Sequence, residues 1–244
     1  MEKEQIRLLS QFETAFIPLL VKEFGENLVS VTLYGSAVKG HFTSGESDLN
    51  ALIVLKNADP QAVSALGRSA SRIMKKNRIN PLLLTEEEFL GSADVFPMEY
   101  LDIRESRRVM HGVDLTERLD ITQGNLRHQA EEQLRGSVAS LRRALLETRG
   151  KERPMKRFLD AWFGSQNALF RGLLRLKQHD PIPHDPIEAI KTLEEAYSFN
   201  SAPLQAAVRL RSGEKLSATQ TAMDILGSLV ELEGRVDAMG GKDG

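Results

Sequence analysis

The chain has 244 residues, of which 41% are hydrophobic and 27% charged, with a formal net charge of −2 and no cysteine. These values are typical of a globular protein with one large domain or two medium ones. They exclude disulfides, thiolate catalysis and zinc–thiolate sites, and the lack of a basic excess argues against extended binding to nucleic acid. Because the N-terminus is charged and about 18 consecutive apolar residues occur nowhere, we expect a cytoplasmic protein without a membrane-spanning segment.

The first 120 residues alternate helix and strand signals. Apolar residues at helical spacing predict a helix from Glu4 to Phe24, with a kink at Pro18. Asp59 followed by Pro60 predicts the start of another helix. Pro81 suits a strand at the edge of a sheet. Four short segments predict strands, at 28–33, 51–55, 79–84 and 108–110.

Three consecutive acidic residues follow the third predicted strand. Thr85 and Glu88 have the spacing of a capping box, in which each residue satisfies a backbone amide of the other. Carboxylates in a first helical turn are also favoured by the helix dipole. We therefore interpret Glu86, Glu87 and Glu88 as the beginning of a helix rather than as metal ligands.

Beyond about residue 120 the strand signals fade and helical windows follow one another. They lie at 126–150, 158–176, 187–196, 204–210 and 218–239, and predict an all-helical bundle of four or five helices. The predicted fold class is α+β: a small mixed β-sheet with flanking helices, then an all-α bundle. The predicted domains are 1–118 and 119–240, with a disordered tail at 241–244.

The stretch from 31 to 55 combines two apolar runs with a tight polar turn. The first run ends at Gly35 and Ser36, and Asp48 and Asn50 lead into the second. Functional side chains are thereby expected at the ends of two strands. This pattern, GSAVKG followed by SDLNALIVL, resembles the signature of the DNA polymerase beta-type nucleotidyltransferases. It is most similar to their bacterial branch of small enzymes, the minimal and aminoglycoside-type nucleotidyltransferases, and the resemblance covers roughly residues 25–112.

The resemblance implies a site for a nucleoside triphosphate and Mg²⁺. Backbone amides of the turn at Gly35 would approach the phosphates, assisted by the Ser36 hydroxyl and by Lys39. Side chains two residues apart on a strand share a face, so Asp48 and Asn50 would hold the metal and form the catalytic pair. The implied reaction transfers a nucleoside monophosphate to a hydroxyl group of a small molecule or a protein.

The sequence departs from the family pattern at two positions. Position 50 is asparagine where the family has an acid, and an amide oxygen brings no negative charge to a metal. The next strand, 79–84, contains no acid where the family has a third carboxylate that often serves as the base. Of the three carboxylates that the family pattern has, only Asp48 is present. The sequence thus leaves two functions open: a nucleotidyltransferase, or a degenerate relative that binds a nucleotide or a partner without turnover.

Overall fold

The computed structural model of the chain describes residues 3–39, 47–183 and 185–240, without the side chains of Ser36 and Lys39. The insert at 40–46 and the predicted disordered tail at 241–244 lie outside these ranges. The chain divides into two compact units, Met1–Ile121 and Thr122–Gly244.

The described part of the first unit contains one four-stranded sheet. Its strands are β1 (Leu28–Tyr34), β2 (Leu49–Leu55), β3 (Ile79–Thr85) and β4 (Arg107–Gly112). The spatial order is β3-β2-β1-β4; β1 is antiparallel to both neighbours, and β2 is parallel to β3. The sheet is therefore mixed, as predicted, and the strand that carries Pro81 lies at its edge.

The helices of the first unit cover both faces of this sheet. They are α1 (Lys3–Gln11), a π-helical turn (Phe12–Phe16), α2 (Ile17–Phe24), α3 (Ser36–Lys39), α4 (Pro60–Asn77), α5 (Glu86–Gly91) and α6 (Pro97–Glu105), with short 3₁₀ turns at Gly25–Asn27 and Thr116–Arg118. Just before Pro18, where the sequence predicts a kink, the helix changes to a π-helical turn, which accommodates the backbone hydrogen bond that proline cannot donate.

Two predicted helix starts are confirmed. The Asp59 side chain accepts a hydrogen bond from the amide of Ala62 at 3.1 Å, at the beginning of α4. At the beginning of α5, Glu88 N donates to the Thr85 hydroxyl and Thr85 N donates to the Glu88 carboxylate, at 3.1 and 2.7 Å. The acidic run after β3 therefore caps a helix, as interpreted from its spacing.

Alternate residues of the strands enter two different cores. One face packs Val31, Leu33 and Ile53 against a cluster that includes Phe12 and Phe16. The opposite face packs a second apolar set, Leu52, Val54, Phe89, Tyr100 and Ile103. Because side chains alternate along a strand, residue 50 shares its face with residues 52 and 54. The apolar pattern of β2 thus fixes the direction in which Asn50 points.

Gly112 ends β4 at a position that only glycine fits. Its φ is +74°, and a Cβ atom there would lie 1.9 Å from the carbonyl oxygen of Val29 on the neighbouring strand. We expect Gly112→Ala to lower the free energy of unfolding by about 2–3 kcal/mol, through backbone strain and overlap. Urea unfolding of the two proteins measures the difference.

Gly67 provides the matched control. It lies inside α4 and is exposed, and a Cβ atom at this position would meet nothing within 4 Å. Gly67→Ala is expected to raise stability by about 0.5–1 kcal/mol, because alanine loses less backbone entropy in a helix. Equal effects of the two substitutions would contradict the close approach of β4 to β1.

The described part of the second unit is entirely helical. Its helices are α7 (Gln123–Thr148), α8 (Glu152–Ser165), α9 (Asn167–Leu176), α10 (Pro186–Tyr197), α11 (Ala202–Arg211) and α12 (Ala218–Gly240). The α+β class with a helical C-terminal region is thereby confirmed. Among the described helices, none is long and apolar enough to cross a membrane.

The described bundle has six helices rather than four or five, because the segment predicted at 158–176 breaks at Gln166. This buried side chain accepts a hydrogen bond from Ser137 on α7 and donates one to the carbonyl of Trp162. The backbone amide of Gln166 donates to the carbonyl of Phe163, three residues earlier, whereas in a continuous α-helix it would donate to the carbonyl four residues earlier. A long-range contact thus divides a helix that apolar spacing alone presents as continuous.

Candidate functional site

The turn that the sequence predicts after β1 is present, and its backbone requires glycine at position 35. Gly35 has φ +83°, in the region that L side chains rarely adopt. Its carbonyl accepts a hydrogen bond from the amide of Val38 at 3.0 Å, and the short helix α3 begins directly after it. The backbones of Ser36 and Lys39 lie in α3, and their side chains are outside the described parts of the chain.

Two residues with buried side chains, Ser106 and Gln5, hold this turn. The amide of Gly35 donates to the carbonyl and the hydroxyl of Ser106, at 3.2 and 3.1 Å, in the link between α6 and β4. The Gln5 side chain of α1 donates to the carbonyl of Ala37 at 2.8 Å. Since Ser106 already engages the Gly35 amide, the amide donors that the turn would offer a phosphate are those of the residues after Gly35.

Asn50 lies beside the turn, on the half of the site expected to hold a metal. A Cβ atom on Gly35 would be 3.1 Å from Nδ2 of Asn50. Asn50 is half-buried on β2, whereas Asp48 is exposed just before that strand begins. The turn and the SDLN segment, which are separate in sequence, are therefore brought together.

The residue that faces Asn50 from the next strand is Asn80. The two are register partners in the parallel pair β2–β3, and Nδ2 of Asn80 donates to Oδ1 of Asn50 at 3.1 Å. Asn80 is the second residue of β3, just as Asn50 is the second residue of β2. It stands on the strand where the family resemblance leads one to expect a third carboxylate.

These residues make a poor donor set for a divalent cation. The Asn50 oxygen already accepts a hydrogen bond, and both amides are neutral, so Asp48 supplies the only negative charge of the three. Mg²⁺ is bound in proteins through carboxylates together with ligand phosphates. Within the described ranges, no group of three or more His, Cys, Asp or Glu side chains could hold a metal ion. One carboxylate and one engaged amide do not fit the magnesium site that the resemblance implies.

The polar row continues across the sheet to Tyr34 and Arg107. Tyr34 on β1 is the register partner of Asn50 on one side and of Arg107 on the other. Burial raises the pKa of Tyr34, so its hydroxyl stays protonated at neutral pH. Asn80, Asn50, Tyr34 and Arg107 thus follow one another on the four strands, and we call them the cross-strand row.

Arg107 is engaged within the first unit rather than directed at a ligand. Its Nε donates to Asp114 at 2.6 Å, and Nη2 contacts Glu117. The hydrogen bond to Asp114 raises the pKa of Arg107. Burial raises the pKa of Asp114, but hydrogen bonds from Thr116 and Arg107 outweigh it and lower that pKa below its usual range. This ion pair fixes the segment after β4.

A groove of about 550 Å³ opens at the other end of the row, next to Asn80. Its wall combines the ends of β2 and β3 with the last turn of α4, and it includes Asp48, Ser71, Lys75, Arg78, Asn80 and Pro81. This groove cannot be recognised in the sequence, because neither Lys75 nor Arg78 belongs to a recognisable motif. Only the packing of α4 beside β3 brings them to Asp48.

A cavity of about 570 Å³ lies in the helical unit, between α11 and α12. Of the described residues that line it, Asp224 and Glu231 are the charged ones, and none is Lys or Arg. Glu231 already accepts a hydrogen bond from the amide of Asn200. An anionic nucleotide is not suited to this lining, so we assign the candidate site to the first unit.

No family model and no curated protein sequence matches the chain. Among solved structures, it is similar to the crystal structure of spectinomycin adenyltransferase AAD(9) from Enterococcus faecialis with ATP and spectinomycin. The TM-score is 0.59 and the identity 17%, over 97% of this chain and 100% of that one. At this identity the likeness shows the fold. The predicted nucleotidyltransferase-like fold with its helical C-terminal region is thus confirmed.

Proposed function

We propose that this protein binds a nucleotide beside the Gly35 turn and does not transfer it. The observation that carries the proposal is the hydrogen bond from Asn80 to Asn50, which puts two neutral amides beside Asp48. The retained turn and the confirmed fold support nucleotide binding. The loss of charge argues against metal-dependent turnover.

The amide pair also removes the candidate base. A general base must accept a proton from the attacking hydroxyl, and a carboxylate does so whereas an amide at neutral pH does not. In β3 no carboxylate is present, and the acids that follow it cap α5. Among the described residues, the site would therefore lack both the second carboxylate for a cation that neutralises the phosphates and the group that activates the acceptor.

The second candidate is the transfer of a nucleoside monophosphate to a hydroxyl group of a small molecule or a protein. It is favoured by Asp48, which is exposed beside the groove, and by a likeness that covers 97% of the chain, including the helical part. That neighbour's title names ATP and spectinomycin. For the present chain, an acceptor of either class belongs to this second candidate.

The two candidates differ in one pair of measurements. ATP binding is followed by calorimetry, and pyrophosphate release from ATP is followed with Mg²⁺ or Mn²⁺ and a panel of hydroxyl compounds. We expect saturable ATP binding, and the same background pyrophosphate release for wild type and Asp48→Ala. Release that exceeds the background and disappears in Asp48→Ala would establish the second candidate. Absence of binding to every nucleoside triphosphate would overturn the first.

A further inference from the structure

The groove next to Asn80 has the chemistry of a phosphate site. It continues the cross-strand row, because Asn80 belongs to both. Neighbouring strands are about 4.8 Å apart, so the two spacings from β1 to β3 place the groove about 10 Å from the Gly35 turn. Asn50 faces the second core and α4 packs on the opposite face, so a nucleotide seated beside that turn would extend its phosphate chain along Asn50 and Asn80 and past the edge strand β3 into the groove.

The charge of the groove favours an anion. Among the residues that the structure describes, Lys75 and Arg78 line it together with a single carboxylate, that of Asp48. Arg78 also contacts Glu4, at 3.4 Å, so part of its charge is balanced. Lys75 is exposed and makes no ion pair with any residue in the described ranges. The positive charge of Lys75 is therefore available to pair with a phosphate in this groove.

Because the side chains at 50 and 80 are neutral amides, a phosphate can approach them without a divalent cation in between. Three carboxylates would repel a phosphate, and a divalent cation would have to bridge the carboxylates and the phosphate. Among the described residues Asp48 is the one carboxylate of the groove, and Asn80 and Lys75 can each donate a hydrogen bond to a phosphoryl oxygen, whereas the Ser71 hydroxyl already donates to the carbonyl of Arg68. Protein donors thus take the place that a metal holds when the site is acidic.

We propose that the phosphate chain of the nucleotide binds in this groove without a divalent cation, with Lys75 as its principal counter-charge. This inference rests on the proposed binding of a nucleotide beside the Gly35 turn. It specifies which groups hold the phosphates and predicts that affinity does not depend on Mg²⁺. It also predicts that the phosphates, rather than the nucleoside, supply most of the affinity.

Lys76 supplies a matched control for Lys75. Both lysines are exposed in the last turn of α4, where cations stabilise the helix end, but only Lys75 lines the groove. Glutamine has nearly the helix propensity of lysine, so Lys75→Gln and Lys76→Gln change the net charge and the helix equally. They differ in that only Lys75→Gln removes a positive charge from the groove.

The test is calorimetric titration of full-length wild type and both variants with ATP, in EDTA and again in excess Mg²⁺, with adenosine as a further ligand. We expect the wild-type Kd for ATP to agree within about twofold in the two buffers. Lys75→Gln should weaken ATP binding about tenfold, corresponding to the loss of one charged hydrogen bond. Lys76→Gln should change it less than twofold, and adenosine should bind more weakly than ATP.

Two results would overturn the inference while leaving nucleotide binding in place. One is equal ATP affinity for Lys75→Gln and Lys76→Gln, which would give Lys75 only the helix-end role. The other is wild-type affinity that rises tenfold or more when Mg²⁺ is added. If wild type binds no nucleotide in either buffer, the proposed function itself fails, so the two failures are distinguishable. Thermal melts of the three proteins establish that each is folded.

Discussion

Replacing Asn50 and Asn80 together by aspartate is expected to create a divalent-cation site at the position where the wild-type protein has two amides. The two residues are register partners, with Nδ2 of Asn80 3.1 Å from Oδ1 of Asn50, and Asp48 lies at the same end of β2. Three carboxylates at this spacing are the hard, charged ligands that Mg²⁺ and Mn²⁺ prefer. Titration with Mn²⁺, followed by electron paramagnetic resonance, should show binding at least about tenfold tighter than in wild type.

The same double variant has a second, independent readout. Without metal, three neighbouring carboxylates repel one another, so its melting temperature should fall below that of wild type. Added Mg²⁺ should restore much of the loss, because a ligand that binds only the folded state stabilises it. Asp48→Ala in the double variant serves as the control and should weaken Mn²⁺ binding again. Wild type that binds Mn²⁺ as tightly as the double variant would refute the proposed loss of the metal site.

The second large effect is expected at Gly35. Alanine there must adopt φ +83° and place its Cβ atom 3.1 Å from the amide nitrogen of Asn50, a strain of about 1–3 kcal/mol. The turn would relax by moving away from β2, and the hydrogen bonds from Gly35 to Ser106 would lengthen. We expect Gly35→Ala to weaken ATP binding about tenfold or more, measured by calorimetry.

Gly25→Ala is the control that distinguishes a loss of ATP affinity at the Gly35 turn from a general loss of stability. Its φ is +51°, and a Cβ atom there would meet nothing within 4 Å. It lies after α2, at the opposite end of β1 from the Gly35 turn. Gly25→Ala should lower the melting temperature by a comparable amount and leave ATP affinity unchanged. Equal loss of affinity in both variants would mean that the Gly35 turn does not form the nucleotide site.

Local signals in the sequence were sufficient for most of the first unit. The four strands, the turn at Gly35 and the caps at Asp59 and Thr85 each depend on a few adjacent residues. Helix α6 was missed because it is buried on several sides. Its apolar residues, Met98, Tyr100, Leu101 and Ile103, do not form the single stripe by which an amphipathic helix is recognised.

The composition of the site depended on register, which local patterns do not determine. Asp48 and Asn50 were visible in the sequence, but the partner of Asn50 lies 30 residues away on β3. Which residue of β3 lies beside Asn50 is decided by how α4 and the cores align the two strands. The contacts of Ser106 and Gln5 with the turn could not be predicted for the same reason. These residues lie 71 and 32 residues from their partners.

The outer strands of the sheet have a consequence for solubility. An edge strand offers unpaired backbone groups to any other chain, and proline or exposed charge on it discourages that contact. Pro81 on β3 is exposed and lacks an amide hydrogen, and Arg108 on β4 is exposed at the other edge. Addition of a fifth strand from another molecule is thus discouraged on both sides, which protects a concentrated solution of this protein from aggregation through its sheet.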